Sequence, residues 1–225
     1  MAVLLIGCEK PDEIWKDTGS WLHIIFNHMR CAFEEFEKNQ VAFVTFNYDR
    51  SLEYFFAKAM AASYGKKIED CSRLLSVFIP IIHLHGRLGY LPWEKEGGRD
   101  FNDMRDAKTV EMCVNNIKIV HEDISDGRDK DFELASKLIN EAERIIFLGM
   151  GYGETNIKRL RIEALRKNMI IGTAVGLTEH ECLDIRSRWA ERILLHTGAN
   201  CEQVLRNYVD WSPSIKQAIT KLAHP

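Results

Sequence analysis

The chain has 225 residues, of which 46% are hydrophobic and 28% charged, with a net charge of −3. These values are typical of a globular protein and argue against a strongly basic nucleic-acid-binding surface. No run reaches the roughly 18 apolar residues that a membrane span needs. The N-terminus has no basic region before its apolar run, so we expect no signal peptide and a cytoplasmic protein. None of the six cysteines forms a Cys-x-x-Cys pair, which favours buried thiols over a disulfide framework and predicts no structural zinc.

The N-terminal part of the chain is predicted to contain a helix, a strand and a second helix. Apolar residues at three- and four-residue steps predict a helix from Trp15 to Lys38, with Gly19-Ser20 as a candidate interruption or start. Val41 to Phe46 has the composition of a buried strand. Asp49 is then predicted to cap a helix from Arg50 to about Ser63, which ends at Gly65.

A second predicted strand covers Val77 to Leu84, where Pro80 indicates a late start or a bulge. Residues 87–104 are rich in Gly, Pro, Trp and charges, which predicts a long loop with a solvated run from Glu94 to Asp100. The segment 87–143 is a candidate insert or small subdomain within one domain of residues 1–225.

The C-terminal half alternates predicted strands with predicted helices, which favours a parallel sheet with helices on both faces. Thr178 and Glu181 have the spacing of a capping box at the start of one of these helices. The predicted strands are Ile117–His121, Arg144–Leu148, Met169–Val175 and Arg192–His196, and the predicted helices are Phe132–Glu143, Asn156–Lys167 and Thr178–Ala190, followed by two short helices.

Polar residues with catalytic potential follow two of the predicted strands. Asn47 and Asp49 come after the first, and His85 and Gly86 come after the second. In an open parallel α/β sheet, ligands bind beyond the carboxyl ends of the strands. A third strand, ending near Leu148, is followed by three alternating glycines, which allow a close approach to a ligand before the next helix begins.

These three stretches together resemble the sirtuin superfamily, and more closely its bacterial sirtuin-like branch. That branch carries Asn-Tyr-Asp after one strand, here Asn47–Asp49, and His-Gly after a later one, here His85–Gly86. The strand, glycine turn and helix start at Ile145–Ile157 are similar to the segment that holds NAD in this family. The resemblance implies a doubly wound, Rossmann-like parallel sheet and NAD or a related nucleotide as ligand.

The resemblance also implies a role for each matching residue. The catalytic residues would be Asn47, which holds the attacking water, and His85, which accepts a proton from the ribose hydroxyls. The cofactor-binding residues would be Asp49, Gly86, Gly149, Gly151, Gly153 and Asn156. The implied activity is NAD hydrolysis with release of nicotinamide, in a setting of anti-phage defence, in a homo-oligomer or a larger defence complex.

The chain departs from the family pattern at two points. Its opening apolar run has one glycine, Gly7, in place of a Gly-Ala-Gly turn, which indicates either a fragment without its first unit or a diverged first turn. Of the four cysteines of the zinc module in protein-deacetylating sirtuins, the corresponding stretch has only Cys113. The missing glycine pair favours a different class of function, a ligand-sensing or assembly domain without turnover. An NAD-dependent protein deacylase is a third interpretation, which the missing cysteines weaken.

Structural explanations also stay open for the candidate residues. His85 can end a strand by bonding to the backbone, Asn47 can satisfy its own turn, and Asp49 can cap the next helix. The glycines can serve the geometry of a strand-to-helix turn. His83 and His85, two residues apart on a strand, can also form part of a metal site.

Overall fold

The computed structural model describes residues 5–6, 8–103, 106–118, 130–162, 165, 169–189 and 192–212. The predicted α/β class is confirmed, because the chain combines α-helices with two short parallel sheets. One sheet pairs β1 with β2, and the other has the order β3-β4-β5. The strands are β1 (Phe43–Thr45), β2 (Ile81–His83), β3 (Arg144–Phe147), β4 (Met169–Thr173) and β5 (Ile193–His196).

The helices of the described part surround these strands. A 3₁₀ helix, Phe33–Lys38, lies between the second and third α-helices. The α-helices are α1 (Pro11–Lys16), α2 (Trp21–Met29), α3 (Ser51–Tyr64), α4 (Ile68–Phe78), α5 (Ala107–Asn115), α6 (Lys130–Glu141), α7 (Glu154–Arg159), α8 (Glu179–Arg188) and α9 (Cys201–Asn207).

The helix predicted from Trp15 to Lys38 is interrupted at Gly19–Ser20, as those residues indicated, but it is wrong beyond Met29, where the α-helix ends. A turn at Asp17–Ser20 separates α1 from α2, and the Asp17 carboxylate accepts a hydrogen bond from the backbone N–H of Gly19 at 2.8 Å. Arg30 and Ala32 then have extended backbones before the 3₁₀ helix begins. The apolar spacing is preserved across both breaks, since α2 and the 3₁₀ helix bury residues in the same cluster.

The strand predicted from Val77 to Leu84 is wrong in its first part. Val77 and Phe78 form the last turn of α4, a helix that the sequence analysis did not predict. Pro80 follows that helix, and its carbonyl accepts a hydrogen bond from the backbone N–H of Phe43. The strand β2 therefore begins only at Ile81, consistent with the late start that Pro80 indicated.

The C-terminal elements agree more closely with their predictions. The capping box is confirmed: the Thr178 hydroxyl accepts from the backbone N–H of Glu181, and the Glu181 carboxylate accepts from the backbone N–H of Thr178. The helix predicted from Asn156 to Lys167 ends early, at Arg159, and Arg161 has a positive φ of 55°. Residues 163, 164, 166 and 167 of that prediction lie outside the described residues.

Two apolar clusters border the strands, one formed with α6–α8 and one with α2–α4. The α6–α8 cluster includes Phe132, Ala135, Ile139, Ile157, Cys182 and Ile185. The α2–α4 cluster includes Leu22, Phe26, Phe55, Phe56, Met60 and Leu75. Neighbouring strand residues pack on different clusters: Val44 and Ile145 on the first, and Phe43 and Ile146 on the second. This alternation is the period-two pattern of a strand covered on both faces.

The segment proposed as an insert, 87–143, follows β2 directly. It is irregular through residue 103, forms α5, and returns to the strand end where Ile117 pairs with Gly86 in one antiparallel bridge. Residues 119–121 of the predicted strand Ile117–His121 lie outside the described residues. None of the described helices has the length and apolar character needed to cross a bilayer.

Candidate functional site

The parallel pairing of β1 and β2 carries Asn47 and His85 to the same end of one sheet. The register pairs Thr45 with His83, and the backbone N–H of Leu84 donates to the carbonyl of Thr45 at 3.0 Å. Asn47 and His85 each lie two residues beyond that last pair. Both residues therefore follow the carboxyl ends of the two strands.

Asn47 has a fixed backbone and an exposed side chain. Its backbone N–H donates to the Thr45 hydroxyl at 3.0 Å. Its backbone carbonyl accepts from Nδ1 of His83 at 2.8 Å. The short turn is thus held from both sides, and the amide of the side chain, which can donate and accept, is presented to solvent.

His85 is 8% exposed and lies in an aromatic environment. Its ring centroid is 5.8 Å from that of Phe46, 6.4 Å from that of Tyr48 and 5.8 Å from that of Phe132. The His85 carbonyl accepts from the backbone N–H of Lys118 at 2.8 Å. His85 therefore follows the end of β2, and its imidazole packs beside the α6–α8 cluster. The surrounding rings restrict the orientation of the imidazole.

The helix α7 also borders this aromatic group. The Arg159 guanidinium lies 3.5 Å above the centroid of the Phe132 ring, in cation–π geometry. Phe132 therefore contacts His85 and Arg159 at once. Asn156 is three residues before Arg159 and lies on the same side of the helix, and it is half-buried. The structure thus brings α7 to the neighbourhood of His85, although the two are 70 residues or so apart in the sequence.

The loop after β3 holds the predicted glycines Gly149, Gly151 and Gly153, and all three are exposed. Only Gly149 has a left-handed backbone, with φ of 65°, and its N–H donates to the Thr173 hydroxyl at 2.8 Å. A Cβ built on any of the three would meet no atom within 4 Å. The fold therefore explains a glycine at 149 by conformation, and it gives no steric or conformational reason for glycine at 151 or 153.

The same loop is anchored at its centre by Tyr152. This residue has a positive φ of 54° and is 3% exposed, and its hydroxyl donates to the carbonyl of Thr173 at 2.8 Å. A side chain on Gly172 would collide with that hydroxyl, because a Cβ there would lie 2.0 Å from it. Burial raises the pKa of the Tyr152 phenol well above its usual range, so Tyr152 serves as a neutral hydrogen-bond donor.

Gly86 and Asp49 both have structural partners. Gly86 has φ of 83°, and a Cβ on it would lie 2.1 Å from the carbonyl oxygen of Asn116. The close approach of the two backbones therefore requires glycine there. The Asp49 carboxylate accepts from the backbone N–H of Ser51 at 3.0 Å, while the N-cap position itself belongs to Arg50. The helix thus begins one residue later than predicted, and Asp49 lies one position before the N-cap.

A buried charged group behind this strand end was missed by the sequence analysis. Arg50, whose side chain is fully buried, lies 2.9 Å from Oε1 of Glu53 and 2.6 Å from Oε1 of Glu94, and it donates to the carbonyl of Gly89. Nε2 of His83 lies 2.9 Å from the same Glu53 oxygen. We call these four residues, Arg50, Glu53, His83 and Glu94, the charged cluster.

Electrostatics within the charged cluster favour ionised Glu53. Burial alone would raise the pKa of this carboxyl group. The Arg50 guanidinium, the hydrogen bond from His83 and the His83 charge outweigh burial and lower the pKa to about 2. A buried carboxylate is stable only with such partners.

A second buried ion pair lies next to the charged cluster. The Arg99 guanidinium donates two hydrogen bonds of 2.7 Å to the Glu9 carboxylate, and both side chains are fully buried. The Glu9 carboxylate also accepts from the backbone N–H of Arg50 at 3.0 Å, which joins this pair to the cluster. The prediction that Glu94 to Asp100 is a solvated loop is therefore wrong for Glu94 and Arg99. Both are buried or half-buried and bonded to distant segments.

The metal interpretation of His83 and His85 receives no support from the geometry. Both ring nitrogens of His83 are engaged by Asn47 and Glu53. In the part of the chain that the structure describes, no group of three or more His, Cys, Asp or Glu side chains could hold a metal ion. The six cysteines, all in described positions, form no disulfide. Cys71, Cys113 and Cys182 are buried as predicted, whereas Cys8 and Cys31 are exposed.

A cavity of about 340 Å³ lies elsewhere, at the carboxyl end of β5. His196, Gln203 and Tyr208 contribute to its lining, and the rings of His196 and Tyr208 stack at 3.6 Å. It does not include Asn47 or His85.

Comparisons with models of known protein families, with curated proteins and with solved structures found no match.

Proposed function

We propose that this chain is a sirtuin-like, NAD-binding domain that hydrolyses NAD and releases nicotinamide. The observation that carries the proposal is the position of Asn47 and His85 at the common end of β1 and β2. One residue offers an exposed amide on a fixed backbone, and the other offers an imidazole within an aromatic environment. A ribose-sized group placed at this strand end would lie beside both.

We also propose that the two sheets belong to one doubly wound layer in the order β2-β1-β3-β4-β5. Support comes from the packing of β1 and β3. Phe43 and Ile146 both contact the α2–α4 cluster, and Val44 and Ile145 both contact the α6–α8 cluster. A single layer with helices on both faces accounts for this shared alternation. In that arrangement the β3 loop with Gly149 borders the crevice of Asn47 and His85.

The proposed reaction breaks the bond between the nicotinamide nitrogen and C1′ of the ribose. The bonding electrons leave with nicotinamide, and the ribose passes through an oxocarbenium-like state. A water molecule held by the Asn47 amide adds to C1′. His85 accepts the proton from the ribose hydroxyls or the water, a form of general-base help that contributes about 100- to 10,000-fold. The products are nicotinamide and ADP-ribose.

The glycine loop fits the proposal because two of its glycines are not needed by the fold. Gly151 and Gly153 have open space around them, so a ligand can approach the backbone closely there. Glu154 opens α7 with a carboxylate whose pKa is lowered by its hydrogen bond with Lys158. That negative charge favours a ribose hydroxyl over a phosphate as the neighbour. On the α7 side of the site, Asn156 would also contact the cofactor. On the side of β1 and β2, Asp49 and Gly86 would do so.

A second candidate is a non-catalytic domain that senses NAD or a related nucleotide within an assembly. The feature that favours it is the single glycine of the opening run, where the family has a glycine pair. Both candidates fit a cytoplasmic protein that depletes or senses NAD in anti-phage defence, as a homo-oligomer or in a larger complex. Protein deacylation is the third candidate, and the lack of clustered cysteines counts against it.

The direct test is nicotinamide release from NAD by the full chain and its variants. His85→Ala and Asn47→Ala should each lower kcat by about 100-fold. His85→Gln should do the same while keeping more of the packing volume, because His85 is nearly buried. The matched control is His180→Ala, since His180 is exposed on α8. Thermal melts of each variant separate loss of chemistry from loss of fold.

The outcomes separate the candidates. Ordinary turnover by folded His85→Gln would refute the proposed role of His85. Saturable NAD binding without turnover by the wild type, measured by calorimetry, would favour the sensing domain. If the wild type neither binds nor hydrolyses NAD, both proposals are refuted and only the α/β fold remains.

A further inference from the structure

The ring of His83 lies between two groups that can only accept hydrogen bonds. Nδ1 is 2.8 Å from the backbone carbonyl oxygen of Asn47, and Nε2 is 2.9 Å from Oε1 of Glu53. A carbonyl oxygen has no proton to give, and an ionised carboxylate has none either. Both contacts are therefore hydrogen bonds only if both ring nitrogens donate, which is the form of a positively charged imidazolium.

The charge count of the surroundings leads to the same conclusion. The groups that face His83 within the charged cluster are Glu53 and Arg50 from the start of α3, with Glu94 from the loop behind Arg50. With a charged His83, two cations meet two carboxylates and the cluster is neutral. With a neutral His83, a negative charge would stay uncompensated in a buried place, which is unfavourable.

We infer that His83 is a charged positioning residue that fixes Asn47 of the proposed NAD site through the backbone carbonyl of Asn47. The inference rests on the proposed function for the role of Asn47. The Thr45 hydroxyl holds the N–H of the same residue, so the two contacts together set the direction in which the Asn47 amide leaves the chain. His83 itself is buried, so its role is to position Asn47.

Two substitutions of His83 separate positioning from general support of the fold. In His83→Asn, the side-chain NH₂ lies near the place of Nδ1 and can still donate to the Asn47 carbonyl. In His83→Gln, the NH₂ lies near the place of Nε2 and can donate to Glu53 but not to Asn47. Both variants remove the ring and its charge, and they differ in which acceptor keeps a donor. A structural role through Glu53 would therefore favour His83→Gln, whereas positioning of Asn47 favours His83→Asn.

The first measurement needs no NAD. Nitrogen-15 NMR of the histidine-labelled full chain should show a proton on both ring nitrogens of His83 in the folded protein, with the signal assigned by its loss in His83→Gln. The side-chain amide of Asn47 should give one sharp pair of NH₂ signals in the wild type and in His83→Asn, and a broadened or averaged pair in His83→Gln. A neutral His83 tautomer, or equal Asn47 spectra in all three proteins, would overturn the inference.

The second measurement is turnover. We expect kcat of His83→Gln to fall by about 10- to 100-fold, as misplacement of a reacting group does, with KM little changed. His83→Asn should retain most of the wild-type kcat. Equal losses in the two folded variants would overturn the positioning role.

Failure of the proposed function gives a different pattern. In that case the wild type would neither bind nor hydrolyse NAD, while the His83 and Asn47 spectra would still follow the expectations above. The contact by which His83 fixes Asn47 would then be confirmed, and the role of Asn47 in NAD hydrolysis would be refuted. If NAD is bound and hydrolysed but the spectra show a neutral ring, the function stands and the inference is wrong.

Discussion

The segments after β2 and after β3 look alike in sequence, since in each an apolar strand is soon followed by a glycine. Their structures differ. Beyond β2, Gly86 is pressed against the backbone of Asn116, with the charged cluster behind it. Beyond β3, Gly151 and Gly153 stand in open space. The same residue type thus makes a rigid junction in one place and leaves room for a ligand in the other, so a strand-glycine motif must be judged by its neighbours.

The largest effect on the segment after β2 is expected at the buried ion pair of Glu9 and Arg99. Glu9→Gln keeps the shape of the side chain but leaves the buried Arg99 guanidinium without a counter-charge. We expect the free energy of unfolding in urea to fall by about 3–5 kcal/mol, the usual cost of breaking a buried pair from one side. Glu13→Gln, in an exposed pair with Lys10, is the control and should cause little change. A loss under about 1 kcal/mol for Glu9→Gln would mean that the pair does not rigidify this region.

Acid should weaken the same region through Glu53. Its pKa is about 2 in the folded chain, against an ordinary value of 4.5. The unfolded chain therefore binds this proton more readily, and the stabilisation is complete above about pH 4.5 and is lost as the pH falls toward 2. A shift of this size corresponds to about 3 kcal/mol.

The check for Glu53 is the free energy of unfolding of the wild type and Glu53→Gln at several pH values. The difference between the two proteins should be largest near neutral pH and should shrink between pH 4.5 and 2. A difference that stays constant with pH would contradict the lowered pKa.

Gly86→Ala tests the close approach of two backbones beyond β2. A Cβ there would lie 2.1 Å from the carbonyl oxygen of Asn116 and would stand on a backbone with φ of 83°. Overpacking and strain together should destabilise the fold by about 2 kcal/mol. The measurement is the same urea titration, and wild-type stability would show that the segment at Asn116 can move away freely.

Gly151→Ala is the matched change beyond β3 and should have the smallest effect on stability. A Cβ there meets no atom within 4 Å, and φ is not positive, so the free energy of unfolding should be unchanged or higher by about 0.5 kcal/mol. If a ligand approaches this backbone, NAD affinity by calorimetry should nevertheless fall. If Gly151→Ala lowered the free energy of unfolding and left NAD affinity unchanged, Gly151 would serve the fold, as Gly86 does, and would not leave room for a ligand.

Local patterns in the sequence were sufficient to predict most of the C-terminal half. The capping box at Thr178 and the strands β3 and β4 depend on neighbours within a few residues, and all three were predicted. The end of α3 at Gly65, with φ of 62°, was predicted for the same reason. The break at Gly19–Ser20 was anticipated from those two residue types. The end of α2 before the 3₁₀ helix was missed, because the apolar spacing continues across it.

The candidate site was predictable only in part. Asn47 and His85 could be placed at strand ends because strand ends are local features. The partners of the charged residues could not be predicted, since Arg99 and Glu9 are 90 residues apart and His83 and Glu53 are 30 apart. Periodicity and composition carry no information about such pairs, which the tertiary fold alone brings together.

The anchoring of Tyr152 has a consequence for the motions of the β3 loop. The hydroxyl of Tyr152 is tied to the carbonyl of Thr173, and a glycine stands on each side of this residue. Backbone rotations can therefore occur at Gly151 and Gly153 while the middle of the loop stays in place. In hydrogen-exchange experiments the loop should behave as two short independent segments, each opening rapidly, with no collective unfolding of the whole turn.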